Sequence, residues 1–192
     1  MERKRIVLGV SGASGAAIAV RIATILGAMA EVELHLVVTA AAERTLAHET
    51  GPEGLRTLEE AAFHRHPIRD IGATIASGSF RTAGMIVAPA SMRTTSAIAS
   101  GLADNLLTRA ADVHLKERRR LVLVARESPL HLGHLRAMTA VTEYGAIVAP
   151  PVPAFYLAPQ TTAEIIDQIA RRAIDLLALD LPLLAACWSG TA

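Results

Sequence analysis

Five short runs of apolar residues alternate along this chain with longer segments whose apolar residues recur every three or four positions. The runs are continuous, with no polar residue at every second position, which is typical of parallel strands covered by helices on both faces. With right-handed crossovers, this order predicts an α/β fold: a single domain over residues 1–192 with a three-layer, doubly wound parallel sheet.

The predicted strands cover residues 6–10, 34–39, 85–89, 121–125 and 146–149. The predicted helices cover residues 16–29, 40–49, 91–101, 104–118, 132–144 and 161–179, with one or two helical turns over 58–63. Residues 64–82 are polar and rich in Gly and Ser, so we predict mainly loop there, and residues 150–159 form a proline-rich loop.

The composition excludes several classes of protein. Apolar residues make up 52% of the 192 residues and charged residues 19%, which is too apolar for a disordered chain and suggests apolar surface buried between subunits. The net charge of +1 argues against a dedicated nucleic-acid binder. A single cysteine, Cys187, excludes an intrachain disulfide framework and a multi-cysteine zinc site.

No apolar stretch suits a membrane span, because prolines or charges interrupt each long run. Arg3, Lys4 and Arg5 followed by an apolar run imitate a signal peptide, but glycines and serines in that run favour a strand, a turn and a helix. We therefore predict no signal peptide, no membrane partner and a cytoplasmic protein.

Ligands of such sheets bind beyond the carboxyl ends of the strands, so the loop from Gly9 to Gly15 is a candidate phosphate site. It lacks the G-x-G-x-x-G spacing, the chain has no nucleoside-triphosphate P-loop, and the second strand ends in Thr39 instead of an acidic residue. These features favour a mononucleotide such as FMN over NAD. The alternative is a tight turn that binds nothing.

Two charged pairs are also candidates for anion binding. Arg109 and Lys116 lie about two helical turns apart, on one helix face, where they could hold a phosphate; the alternative is a set of solvated or Asp112-paired cations. Arg126 and Glu127 directly follow a strand and could hold a phosphate and supply a proton. The alternative there is an ion pair between the two.

Metal chemistry has little support in the sequence. The pairs His64/His66 and His131/His134 have no third ligand at convincing spacing, so we predict structural or solvent-facing histidines and no metal site. The chain also lacks a G-x-S-x-G element and an Asp-rich element for Mg²⁺. Phosphate chemistry would therefore depend on Arg, Lys and backbone N–H groups.

Several segments, in order along nearly the whole chain, resemble the UbiX-like flavin prenyltransferases. The most specific is the run R-A-A-D-V (109–113), L-K-E-R-R (115–119) and R-E-S-P-L (126–130). The other matching segments are G-A-S-G (12–15), A-S-G-S-F (76–80), G-M-I-V-A-P (84–89), D-N-L-L (104–107), L-V-L-V (121–124) and P-A-F-Y (153–156).

The resemblance implies a Rossmann-like, flavodoxin-type fold assembled through trimers into a homododecamer, with active sites between subunits. It implies an enzyme that joins the dimethylallyl group of dimethylallyl phosphate to N5 and C6 of reduced FMN, without metal and with release of phosphate. The product, prenylated FMN, would serve UbiD-like decarboxylases.

The resemblance also implies roles for individual residues. Glu49, Glu127 and Ser14 would be catalytic, with the two carboxylates handling protons. The residues expected to hold FMN are Gly12, Ala13, Ser14, Thr39, Ser91, Met92, Arg93, Thr94 and Arg126. The residues expected around the prenyl phosphate are Arg109, Lys116, Glu127, Tyr156 and Arg172.

This chain departs from the family pattern at a few positions. Ala90 stands where many members have Cys, Ser128 where Thr is usual, and the tail that carries Trp188 matches poorly. Two alternatives remain open. One is a flavin-dependent cysteine decarboxylase of the same superfamily, although its P-A-S-A-N-T element is only begun here. The other is a non-catalytic FMN carrier.

Overall fold

The computed structural model describes residues 3–190, and six strands in this part of the chain form one parallel sheet in the order β3-β2-β1-β4-β5-β6. The strands are β1 (Lys4–Val10), β2 (Val32–Val38), β3 (His64–His66), β4 (Gly84–Ala90), β5 (Arg120–Ala125) and β6 (Ile147–Val148). The helices are α1 (Ala16–Gly27), α2 (Ala40–Thr50), α3 (Glu53–Ala61), α4 (Met92–Ala99), α5 (Leu106–Lys116), α6 (Leu132–Glu143) and α7 (Thr162–Asp175).

The predicted α/β fold with a doubly wound parallel sheet is confirmed, and all five predicted strands are present. The prediction of loop over residues 64–82 was wrong at its start, where β3 pairs with β2. This edge strand is short and polar, so it lacks the apolar run by which the other strands were recognised. A 3₁₀ turn, Thr74–Ala76, follows in the same region.

Alternate residues of the strands supply two separate cores, one on each face of the sheet. Ile6, Leu8 and Val10 of β1 pack in the core formed with α1, α3 and α7. Val7 points to the opposite core, which contains the apolar side of α5. Helices α7 and α5 therefore cover opposite faces of the sheet, which decides below which site residues can meet within one chain.

The strand order reverses between β1 and β4, which lie side by side at the centre of the sheet. If the short edge strand β3 is set aside, the order is that of flavodoxin-like folds, which place their ligand at such a switch point. Because all the strands are parallel, the loops that follow β1, β2, β4 and β5 open at one edge of the sheet.

Across residues 3–190, the helices are too short or too polar for any of them to span a bilayer.

Candidate functional site

The loop between β1 and α1 lies at the switch point and carries only small side chains, Gly-Ala-Ser-Gly over residues 12–15. Gly15 precedes α1 with φ of 110°, a left-handed conformation that favours glycine. A Cβ at Gly12 would lie 2.5 Å from Cβ of Ala41, so only glycine lets the loop run this close to the start of α2. Together with Ala13, these residues form a narrow backbone cradle at a helix N-terminus, which suits a phosphate.

Two more helices begin at the same edge, each with a hydroxyl cap. The hydroxyl of Thr39 accepts a hydrogen bond from the N–H of Ala42 at 3.1 Å, and Ser91 accepts one from Thr94 at 3.3 Å. The N-termini of α1, α2 and α4 thus open at one edge, and their dipoles together favour an anion.

Ser11 holds two of these loops together, a role that the sequence did not suggest. Its buried hydroxyl donates to the carbonyl oxygen of Pro89 at 2.8 Å and accepts from the N–H of Ser91 at 2.8 Å. The loops after β1 and β4 therefore keep a set distance. A hydroxyl directly after a buried strand was the only available signal.

Glu49, near the end of α2, reaches back to the start of α1. Its Oε2 accepts hydrogen bonds from the N–H groups of Gly15 at 2.9 Å and Ala16 at 2.8 Å. Partial burial alone would raise the pKa of Glu49, but hydrogen bonds from the Ser14 side chain and these N–H groups, with the charge of Arg126, outweigh it and lower the pKa. Glu49 is therefore an anion at neutral pH, able to accept a proton at the edge of the cradle.

Arg126 and Glu127 lie exposed at the same edge, directly after β5. The N–H of Arg126 donates to the carbonyl oxygen of Ala90 at 3.1 Å, and Glu127 accepts from the N–H of Ser128 at 3.1 Å. No ion pair joins Arg126 to Glu127 within residues 3–190, so both side chains are available to a ligand.

The segment from Ser91 to Thr94 offers mainly backbone to this crevice. Met92 and Thr94 are buried, and the Arg93 guanidinium donates to Asp104 at 2.7 Å. Within this chain, the Arg93 side chain is therefore paired with a carboxylate, and its predicted contact with FMN stays a prediction.

A second cavity of about 500 Å³ lies between the proline-rich loop, α7 and the C-terminal tail. Tyr156, Arg172 and Trp188 line it together. The rings of Tyr156 and Trp188 meet edge to face, with centroids 5.4 Å apart. The cavity therefore combines a cation and a phenol hydroxyl with an aromatic wall.

Arg109 and Lys116 lie elsewhere in the same chain. Arg109 donates to Asp112 at 2.7 Å, and Lys116 pairs with Glu117. They belong to α5, on the face of the sheet opposite Arg172, and Lys116 lies beside the amino end of β5. One chain therefore does not bring these two cations to Tyr156 and Arg172.

The histidines beside the edge strand contact one another. His66 shares a hydrogen bond of 2.9 Å with His35, which also contacts Glu33 at 3.1 Å. Burial, together with the neighbouring His64 and His35, lowers the pKa of His66 to about 4, so its ring is neutral at pH 7. His131 caps α6. Over residues 3–190, no three His, Cys, Asp or Glu side chains cluster as metal ligands would.

Comparison with known proteins identifies the family of this chain. The Flavoprotein family model matches residues 1–173. The chain is 50% identical over 188 residues to the flavin prenyltransferase UbiX of Escherichia coli strain K12, covering 97% of this chain and 99% of the relative.

Solved structures agree with this similarity. AnUbiX (PadA1) in complex with FMN and dimethylallyl pyrophosphate has a TM-score of 0.93 and 45% identity, with 100% of both chains covered. A dodecameric FMN-dependent UbiX-like decarboxylase from Escherichia coli O157:H7 has a TM-score of 0.91 and 44% identity, covering 97% of this chain and 100% of the other. The FMN-dependent cysteine decarboxylase TvaF, at 16% identity, a TM-score of 0.64 and coverage of 92% and 99%, shares the fold alone.

Proposed function

This chain belongs to the Flavoprotein family and, within it, to the flavin prenyltransferases, and from this premise we propose how its residues carry out that reaction. The protein is an enzyme that transfers the dimethylallyl group of dimethylallyl phosphate to N5 and C6 of reduced FMN and releases phosphate. One flavoprotein domain spans residues 1–192. The observation that carries the proposal is the crevice of helix N-termini beside Glu49, at the switch point of the sheet.

The crevice fits FMN. The close approach of Gly12 to Ala41 makes a backbone cradle for its phosphate, and the starts of α1, α2 and α4 supply the favourable field. Ser14, Thr39 and Arg126 lie around this cradle, and Ser91 begins the loop opposite. When bound there, the reduced flavin supplies the nucleophilic nitrogen and carbon atoms of the reaction.

The cavity beside α7 suits the prenyl phosphate. Arg172 and the Tyr156 hydroxyl would bind the phosphate as it leaves, and Glu127 lies at the end of β5 near the crevice. Arg109 and Lys116 would come from another copy of the chain, because α5 and α7 lie on opposite faces of the sheet. A site shared between copies supports the proposed trimer-based homododecamer, and one relative of solved structure is dodecameric.

Proton transfer falls to the carboxylates. Glu49 is ionised and lies against the cradle, so it would accept the proton that C6 loses as the new carbon–carbon bond forms. The other carbon of the prenyl double bond gains one proton, which makes ring closure proton-neutral. Glu127 would pass the proton that N5 loses on alkylation to the departing phosphate. The cations and N–H groups named above would stabilise the negative charge of that phosphate without a metal.

The proposed reaction can be tested by mass spectrometry of the flavin released after anaerobic incubation with reduced FMN and dimethylallyl phosphate. We expect the flavin to gain one C5H8 unit. Consumption of a peptidyl or pantothenoyl cysteine would instead support the cysteine decarboxylase alternative, and unmodified FMN with either substrate would support the carrier. Activation of an apo UbiD-like decarboxylase by the product would test the proposed recipient. We also propose that the protein is cytoplasmic.

Substitution of Arg172 by alanine should raise the KM for dimethylallyl phosphate by about a hundredfold and leave the Kd for FMN nearly unchanged, because a charge-assisted contact to phosphate is lost. Steady-state kinetics and flavin titration measure the two effects. Arg56→Ala is the control, because this exposed arginine of α3 pairs with Glu53 and Glu60 and does not line the cavity. Equal losses of donor and FMN binding would contradict the assigned role.

Substitution of Gly12 by alanine should weaken FMN binding by at least about tenfold, because the new Cβ would force the loop away from Ala41. Flavin titration measures the change. Gly72→Ala is the matched control, since a Cβ there meets only Asp70, at 3.6 Å. Unchanged FMN affinity in Gly12→Ala would show that the cradle does not hold the flavin.

A further inference from the structure

The C-terminal tail, residues 180–188, forms the outer wall of the cavity beside α7. Leu183, Cys187 and Trp188 line the cavity from this side. Leu183 is 67% exposed and Trp188 is 58% exposed, so little apolar burial holds these two residues in place. Leu184 is the tail's partly buried contact with the core. Other contacts must therefore set where Trp188 lies.

Three side chains of α7 contact the tail main chain: Arg171 donates to the carbonyl oxygen of Leu184 at 3.5 Å, and Asp175 and Gln168 make the shorter bonds. The carboxylate of Asp175 accepts hydrogen bonds from two successive N–H groups, those of Leu184 and Ala185, at 2.9 Å each. Gln168 pairs with both main-chain groups of Ala186: its Oε1 accepts from the N–H and its Nε2 donates to the carbonyl oxygen, each at 3.0 Å.

The spacing of the two residues matches this role. Gln168 and Asp175 lie seven positions apart, which places them about two turns apart on one face of α7. Both also line the cavity, as does Arg172 between them. The helix that presents a cation to the cavity thus also holds the tail alongside it, and Trp188 lies two positions beyond the anchored Ala186.

We propose that Gln168 and Asp175 are positioning residues for prenyl transfer: they hold the tail on α7 so that Trp188 closes the prenyl cavity against Tyr156. This inference rests on the proposed function. A dry, aromatic wall matters there because the allylic group loses its phosphate and carries positive charge, which an aromatic face stabilises and water would capture. Neither residue touches the reacting atoms.

The test uses the full-length protein with FMN bound, in the variants Gln168→Ala and Asp175→Ala. Trp188 is the chain's single tryptophan, so acrylamide quenching of its fluorescence reports this one position. We expect quenching to increase in both variants and the KM for dimethylallyl phosphate to rise about tenfold, with the Kd for FMN unchanged. Asp175→Asn keeps one acceptor oxygen and should give intermediate values.

Gln160→Ala is the matched control, because Gln160 is the chain's other glutamine and donates to Ala158 instead of the tail. Unchanged quenching and KM in Gln168→Ala and Asp175→Ala would overturn the proposal, and so would parallel losses of FMN and donor binding. If the wild-type protein forms no prenylated flavin, the proposed function fails, whereas the quenching comparison still decides whether these residues hold the tail.

Discussion

Replacing Glu49 by glutamine should slow flavin prenylation by about two orders of magnitude while the Kd for FMN stays within about threefold. The amide keeps an oxygen that can accept from the N–H groups of Gly15 and Ala16, so the cradle should hold its shape. The amide cannot take a proton, and that loss falls on the chemical step. Single-turnover measurement of prenylated flavin, beside a flavin titration, separates the two quantities.

Glu43→Gln is the control for this experiment. Glu43 lies on the same helix, α2, and pairs with Arg65, away from the loop that follows β1. We expect wild-type prenylation in this variant. A wild-type rate in Glu49→Gln would refute proton transfer by Glu49, and a large loss of FMN affinity would show that its main role is to shape the cradle.

Two inactive variants should restore activity to each other when coexpressed. Lys116→Ala and Arg172→Ala should each lower prenylation by about a hundredfold, because each removes a cation from the phosphate site. If Lys116 and Arg172 of one site come from different copies, random mixing leaves about a quarter of the sites with both cations. Recovery to about a quarter of wild-type activity in the purified mixed oligomer is the expected result.

This prediction distinguishes a shared site from a site within one chain. With a site inside one chain, every subunit of the mixture would lack one cation, and no activity would return. A mixed oligomer of the two variants that stays inactive would therefore refute the shared site. A mixture of Lys116→Ala with the double variant Lys116→Ala/Arg172→Ala is the matched control, because no site in it contains Lys116.

Some elements of this fold follow from local sequence and others do not. The buried strands could be predicted because a sheet covered on both faces requires uninterrupted apolar residues. The start of the helix predicted from residue 161 could be placed because a helix start depends on local contacts, here the Thr161 hydroxyl that accepts from the N–H of Glu164. The edge strand β3 could not be predicted, because its polar sequence adopts a strand only by pairing with β2.

The sequence by itself determined the parallel α/β sheet and the edge at which its loops open, and through family resemblance it supplied the residues proposed for the site. The tertiary structure alone decided that Glu49 reaches Ala16 across 33 positions, that Ser11 joins two loops and that Gln168 and Asp175 hold the tail. It also placed Arg172 and Lys116 on opposite faces of the sheet. Periodicity and capping are local properties of the chain, whereas these contacts join distant segments and exist only once the helices have packed on the sheet.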